Sequence, residues 1–303
     1  MALPTHASLL ERIWHKTYLV ICALIFFFLI APILIVIPLS FNAEPYFTFT
    51  QKMLALDPEG WSLRWYDQLL THGMKAPDAP RDAAWWKDSW DNAQWVRAAK
   101  NSVIIGVAST FVATVLGTLA ALGLSRPEMP FRRTITALLI SPMIVPIIIT
   151  ATGLFFFYSQ IGLANSYAGV ILAHATLGIP FVIITVTATL VGFDHSLTRA
   201  AASLGASPST TFWRVTMPLI LPGMVSGALF AFVTSFDEVV VVLFVAAHDQ
   251  QTIPRQMWNG IREQISPAIL AVATILVFVS IALLTTIELL RRRSERLRGV
   301  TPS

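Results

Sequence analysis

The stretch Arg199-Ala-Ala-Ala-Ser-Leu-Gly-Ala-Ser-Pro208, continued by Trp213-Arg-Val-Thr-Met-Pro218 and Leu221-Pro222, decides how the chain is read. It is a polar, turn-rich island between two long apolar segments. Residues 200–204 suit a short helix, because alanine and leucine lose little entropy on becoming helical. Asp194 or Ser196 suits the cap at its start, and Gly205 the left-handed position just past its end. Ser207-Pro208 then reads as cap and first residue of a second short helix over 209–213. Two short helices around a glycine, then a proline and a return to apolar sequence, are more structure than a plain connection needs.

Composition places this island in a membrane protein. Of 303 residues, 55% are hydrophobic and only 13% charged, with a mean hydropathy of +0.67. A soluble domain carries about 25% charged residues. The net charge of +4 follows the loops and is not a nucleic-acid footprint. Cys22 is the only cysteine, which excludes an intrachain disulfide and a cysteine zinc site. The six histidines show no His-x-x-x-His or His-Glu pairing, so neither a metal centre nor a cofactor is expected.

The first apolar segment, about 18–39, follows Arg12 and Lys16. It is too long for a signal peptide and lacks a small-x-small cleavage site, so it reads as a retained anchor. Further apolar spans lie at about 101–124, 135–158, 167–193, 218–247 and 267–290. Each has roughly the 20 residues a bilayer needs. The expected fold is all-α and polytopic, with six transmembrane helices over 18–290 between tails at 1–17 and 291–303.

Basic residues set the orientation. With the N-terminus inside, the tails and the loops 125–133 and 194–217 hold twelve of the 21 Lys and Arg. Both termini and the Gly205 island are then cytoplasmic. The outer loop, 41–100, holds six of the nine tryptophans: Trp61, Trp65, Trp85, Trp86, Trp90 and Trp95. Residues 62–70 read as an amphipathic helix on the outer membrane surface, with Trp61, Trp65, Tyr66, Leu69 and Leu70 on one face. The tryptophans read as interfacial anchors rather than ligand stackers, and 74–91 as an insertion without a specific role. Leu116-Gly-Thr-Leu-Ala-Ala121 supplies small residues for close helix approach. Breaks at Ser141-Pro142, Val145-Pro146 and Gly178-Ile-Pro180 suit either a polar pathway or packing. His174 suits an interhelical hydrogen bond better than a ligand contact.

Ser235-Phe-Asp-Glu238 falls in the middle of the fifth span. Asp237 and Glu238 are the acids placed deep in the bilayer, where an ionised side chain costs roughly 2.5–3.5 kcal/mol. Adjacent residues on a helix point about 100° apart. One acid therefore suits a substrate pathway and the other a neighbouring helix or subunit. Ser235, Phe236, Asp237 and Glu238 are the candidate pathway residues.

Ala200-Ala201, Gly205 and Val215-x-Met217-Pro218, with nine residues between Gly205 and Val215, resemble the EAA loop of permeases in binding-protein-dependent ABC importers. In that family the loop is a coupling helix that docks into a cleft of the ATPase. The resemblance implies this role for Arg199, Ala200, Ala201, Gly205, Ala206, Ser207, Pro208 and Pro218. Arg199 stands where the family usually has glutamate, which puts the usual polar contact in doubt. Asn101-Ser102 matches the Asn-Ser that opens the second helix of that family. Ser235-Phe-Asp-Glu-Val-Val-Val241, Thr252-Ile-Pro254 and Ser266-Pro267 extend the likeness to polyamine permeases, over about 95–290. It implies a type I importer permease fold in a bacterial inner membrane. It also implies a second permease, an ATP-binding cassette ATPase dimer and a periplasmic substrate-binding protein as partners. A cationic polyamine such as putrescine or spermidine is the implied substrate, with 4-aminobutyrate, opines or other small amino compounds as the alternative. The chain has no Gly-x-x-x-x-Gly-Lys-Ser/Thr phosphate loop, so ATP hydrolysis is expected in a separate subunit.

Two rivals come from other classes. A proton-coupled secondary transporter would use Asp237 or Glu238 as its proton site, and leaves the Gly205 island unexplained. An intramembrane enzyme would need a Ser/His or paired His/Asp constellation at one membrane depth, and none is apparent. Neighbouring ATPase and permease genes would separate the importer from both.

Overall fold

A computed structural model describes residues 8–126, 128–194, 196–263 and 266–297. Among these the chain is helical, and the only β pairing is an isolated bridge between Asn42 and Trp61. In order the helices are α1 (Leu9–Leu39), α2 (Arg64–Thr71), α3 (Ala83–Asn92), α4 (Gln94–Leu124), α5 (Arg132–Ile140) and α6 (Ile147–Ile161). There follow α7 (Tyr167–Val191), α8 (Ser196–Ser203), α9 (Pro208–Phe236), α10 (Val240–Val245), α11 (Ile253–Glu263) and α12 (Ala268–Leu297).

Four of these, α1, α4, α7 and α9, are long and apolar enough to cross a bilayer. The third expected span is not straight. A 3₁₀ turn at Ser141–Met143 ends its first half, and the two halves are bent by 99°. Pro142 and Pro146 account for the break, since each lacks an N–H and its ring clashes with the carbonyl four residues back. Helix α12 opens with the apolar stretch Ala268–Ala282.

The chain divides into two compact units, 1–72 with 260–303, and 73–259. In the first, α1 starts well before the apolar run. Ser8 Oγ accepts from the Glu11 N–H at 3.3 Å and Glu11 Oε2 from the Ser8 N–H at 2.7 Å, a reciprocal cap that holds the polar first turns helical. Most apolar side chains of α1 are exposed, Phe28 by 77%, as a lipid-facing helix requires. Helix α2 turns part of its apolar face into the protein. Trp65 and Leu69 are buried, and α2 packs against α12. The Trp65 indole N–H donates to the Asn42 carbonyl at 2.6 Å, and the Tyr66 hydroxyl lies 2.7 Å from Ser40 Oγ. Protein groups thus satisfy the polar tips that an interfacial aromatic leaves to water.

The second unit is built on α4, α7 and α9, which pack on one another around Ala113, Ala121, Ala175, Val182, Ile220 and Ala231. Small residues set the separation. A Cβ on Gly117 would come within 2.7 Å of Val182 Cβ, and one on Gly227 within 2.5 Å of Thr185 Oγ1 and 2.7 Å of Val182 Cα. The hydroxyl can rotate away, but the α7 backbone cannot. Gly227→Ala should therefore destabilise the unit by about 1–3 kcal/mol, the usual cost of overpacking. Thermal unfolding of the purified chain in detergent measures it; an unchanged midpoint would mean that α7 and α9 part freely.

Residues 74–91 are ordered by their own side chains. Asp88 Oδ2 accepts from the N–H groups of Lys75 and Ala76, both at 3.0 Å, and Asn92 donates to Oδ1 at 2.6 Å. The Ala76 N–H, with Asn92 and Lys75 adding to it, holds the Asp88 carboxyl below its ordinary range. Trp85 is buried, its indole donating to the Pro77 carbonyl at 3.0 Å, and Trp95 is buried too. Trp86 and Trp90 are exposed. The tryptophans of this region are thus divided between core and surface.

Candidate functional site

The Gly205 island folds as two helices around a turn. Asp194 begins it, its Oδ1 accepting from the Ser196 N–H at 2.8 Å and its Oδ2 from the Ser196 hydroxyl at 2.7 Å. Gly205 closes α8 with φ +80°, the conformation that favours glycine. The Gly205 N–H reaches the Ala202 carbonyl and the Ala206 N–H the Ala201 carbonyl, each at 3.0 Å. These two bonds are the Schellman pattern, and they satisfy carbonyls that a helix end otherwise leaves open. Ser207 Oγ then accepts from the Thr210 N–H at 3.2 Å and Pro208 opens α9. Arg199, Ala200 and Pro208 are exposed, as is Leu204 at 88%, while Ala201 and Ala206 are partly covered.

One expectation changes here. The second helix does not stop before Pro218 and re-enter the membrane as a separate element. Pro208–Phe236 is one 29-residue helix with a π turn at Phe212–Thr216. The wider turn lies just before Pro218, where an α-helix would bring the proline ring against the Arg214 carbonyl. The island is thereby joined rigidly to the apolar helix behind it.

At its far end α9 stops at Phe236, so the fifth span is not a helix through 247 and the acids are not in mid-helix. Asp237 caps the helix with φ −94° and ψ −1°, and α10 starts at Val240. Glu238 Oε1 accepts from the Val241 N–H at 2.8 Å. Such a bond caps the new helix and competes with continuation of the old one. The two acids separate as a result. Asp237 is exposed and Glu238 is buried at 7%, with a backbone amide as its hydrogen-bond partner.

Ser235 and Phe236 also separate from Asp237. Ser235 is buried, with its Oγ 2.8 Å from His174 Nδ1 on α7 and 3.0 Å from the Ser109 hydroxyl on α4. His174 is thus an interhelical bonding group, 1% exposed. Phe236 is half-buried and stacks on Phe232 at 5.6 Å. The chain Ser109–Ser235–His174 ties three helices together within the last turn before the break.

Asn101 has a place that sequence alone does not reveal. Its amide donates to the carbonyls of Asp249 and Gln251, at 2.7 and 2.8 Å, and its Oδ1 accepts from the Tyr167 hydroxyl at 2.8 Å. Ser102 Oγ accepts from the Ile253 N–H at 2.8 Å. The Asn-Ser pair therefore clamps the loop after α10 onto α4 and α7. Asn101→Ala should leave buried polar groups unpaired, at about 1–3 kcal/mol. The measurement is the rate of proteolytic cleavage within 246–252, expected to rise several-fold; no change would mean that other contacts hold the loop.

Residues 113–298 match the family model described as binding-protein-dependent transport system inner membrane component. The chain is 29% identical over 271 residues to the spermidine/putrescine transport system permease protein PotC of Haemophilus influenzae, covering 89% of this chain and 95% of that protein. It is 30% identical over 269 residues to the putrescine transport system permease protein PotI of Escherichia coli, covering 85% and 84%. Among solved structures it is similar to a bacterial ABC transporter involved in the import of the acidic polysaccharide alginate. The TM-score there is 0.69 at 15% identity, covering 94% of this chain and 99% of that one. With its long apolar helices, the chain is a multi-pass membrane protein that belongs to the family of inner membrane components of binding-protein-dependent transport systems.

Proposed function

We propose that this chain is the permease subunit of an ATP-driven importer that carries a polyamine, putrescine or spermidine, across the inner membrane. Six spans serve this role: α1, α4, the bent pair α5–α6, α7, α9 and α12, with both termini cytoplasmic. A second permease completes the pathway, a periplasmic binding protein delivers the substrate, and an ATPase dimer docks on the Gly205 island. The domain limits are 18–290 for the permease, with 41–100 outside, 194–217 inside, and tails at 1–17 and 291–303.

The observation that carries the substrate is the exposed Asp237 carboxylate at the end of α9, in a chain whose named relatives transport polyamines. A carboxylate about 4 Å from an ammonium contributes roughly 4 kcal/mol at an effective dielectric near 20, offset in part by desolvation. Asp237 faces the substrate, Glu238 shapes the break that presents it, and Ser235 and Phe236 hold the end of the helix. Arg199, Ala200, Ala201, Gly205, Ala206, Ser207, Pro208 and Pro218 form the coupling element. Leu204, exposed beside the turn, gives the ATPase an apolar side chain to bury. The unbroken α9 carries movement of the island to the break at Asp237.

The test is uptake by the full complex reconstituted in vesicles. ATP-dependent accumulation of labelled putrescine or spermidine is expected, with 4-aminobutyrate a poor competitor. Uptake of 4-aminobutyrate in preference to either polyamine would overturn the substrate assignment.

A further inference from the structure

A groove of about 530 Å³ lies where α4, α5 and α7 meet in the second unit. Leu124, Ile140, Ile183 and Ile184 supply its apolar lining, and Arg132 and Arg133 the charge. The two kinds of lining are separated along α5. Arg132 opens that helix and Ile140 ends it, so about 12 Å of helix runs from the charged end to the apolar end. Both arginines are exposed and make no ion pair among the described residues. Thr187 also lines the groove, its hydroxyl buried without a partner among the described residues.

The basic loops put the arginine end on the cytoplasmic side, at the boundary of an apolar span. A dissolved anion would use the arginines and leave the apolar wall bare. A purely apolar partner helix would cover the wall and leave two guanidinium groups beside it without counter-charge. A molecule with an anionic head and a hydrocarbon tail matches both ends at the observed spacing.

We propose that this groove is a binding site for one anionic phospholipid. Its phosphate is held by Arg132 and Arg133, whose planar forks bind phosphate oxygens in pairs. One acyl chain lies along Ile140, Ile183 and Ile184. The Thr187 hydroxyl is placed to donate to an ester or phosphate oxygen. Bound this way, the lipid fastens the half-span α5 to α7, on the side of the Pro142–Pro146 break that faces the coupling island. The site is independent of which solute is transported.

The experiment is native mass spectrometry of the full chain in mild detergent, titrated with phosphatidylglycerol, phosphatidylcholine or inorganic phosphate. One phosphatidylglycerol per chain should be retained, at least ~10-fold more tightly than phosphatidylcholine. Arg132→Gln with Arg133→Gln should weaken it about 30-fold, at roughly five- to sixfold per basic residue. Arg132→Lys with Arg133→Lys keeps the charge and the membrane orientation, and should stay within several-fold of the parent. Ile184→Trp, which fills the groove from an exposed position and spares the arginines, should also displace the lipid. Equal retention of both lipids, unchanged binding in the Gln pair, or competition by millimolar inorganic phosphate would each overturn the assignment.

Discussion

Gly205→Val is expected to abolish transport while leaving the chain inserted and folded. A Cβ at this glycine would meet nothing within 4 Å, so no steric clash with the rest of the chain is at issue. The loss comes from the backbone. Gly205 has φ +80°, where an L-residue is penalised by roughly 1–2 kcal/mol and a β-branched one by more. Leaving that conformation breaks the bonds from Gly205 and Ala206 to Ala202 and Ala201, and re-aims α8 relative to the start of α9. Because α9 continues to Phe236, an altered entry angle would change what an ATPase docked on the island, as proposed, can move. Uptake in reconstituted vesicles should fall more than about tenfold, and the ATPase should co-purify less well; 1.4 kcal/mol corresponds to tenfold. Gly205→Asn is the control, since asparagine tolerates the left-handed region. It should retain most activity. Equal activity in the Val and Asn variants would remove backbone conformation as the reason for a glycine here.

The second large effect separates the two acids. Asp237→Asn keeps size and hydrogen-bonding capacity but removes an exposed charge. If it faces a cationic substrate, polyamine uptake should fall about 10- to 100-fold at unchanged protein yield, allowing for desolvation of part of the Coulomb attraction. Basal ATP hydrolysis should persist, since the Gly205 island proposed to couple to the ATPase is untouched. Glu238→Gln should behave differently. Its amide oxygen can still accept from the Val241 N–H, so the break survives and uptake should stay within several-fold. Glu238→Leu removes the cap and should cost about 0.5–2 kcal/mol, seen as a lower unfolding temperature with uptake reduced in proportion. Full polyamine uptake by Asp237→Asn would sink recognition by charge at this position. A larger uptake defect in Glu238→Gln than in Asp237→Asn would reverse the roles assigned to the two residues.

How much was legible in the sequence varied with the range of the interactions involved. The turn at Gly205 was readable because every part of it is local. The Asp194 cap, the positive φ, the return bonds and the Ser207-Pro208 start are each set within five residues. The membrane class and the places of the apolar segments were equally plain, because a bilayer tests each segment's length and composition by itself. Proline positions announced that the third span would break, though not that it would turn through 99°.

The sequence by itself therefore determined the helical membrane class, the apolar segments and the two-helix island with its glycine. Tertiary structure alone decided where α9 ends, which of two adjacent acids is exposed, and that Trp65 packs inside the protein. It also decided that Asn101 grips a loop about 150 residues further on, and that Ser235 bonds to His174 and Ser109 from other helices. The physical reason is that hydropathy and helix propensity act on neighbouring residues. Burial and the pairing of buried polar groups instead depend on which distant helices come together. Asp237 and Glu238 are chemically alike in the sequence. Only the packed end of α9, with one carboxylate turned onto the Val241 amide, makes them different.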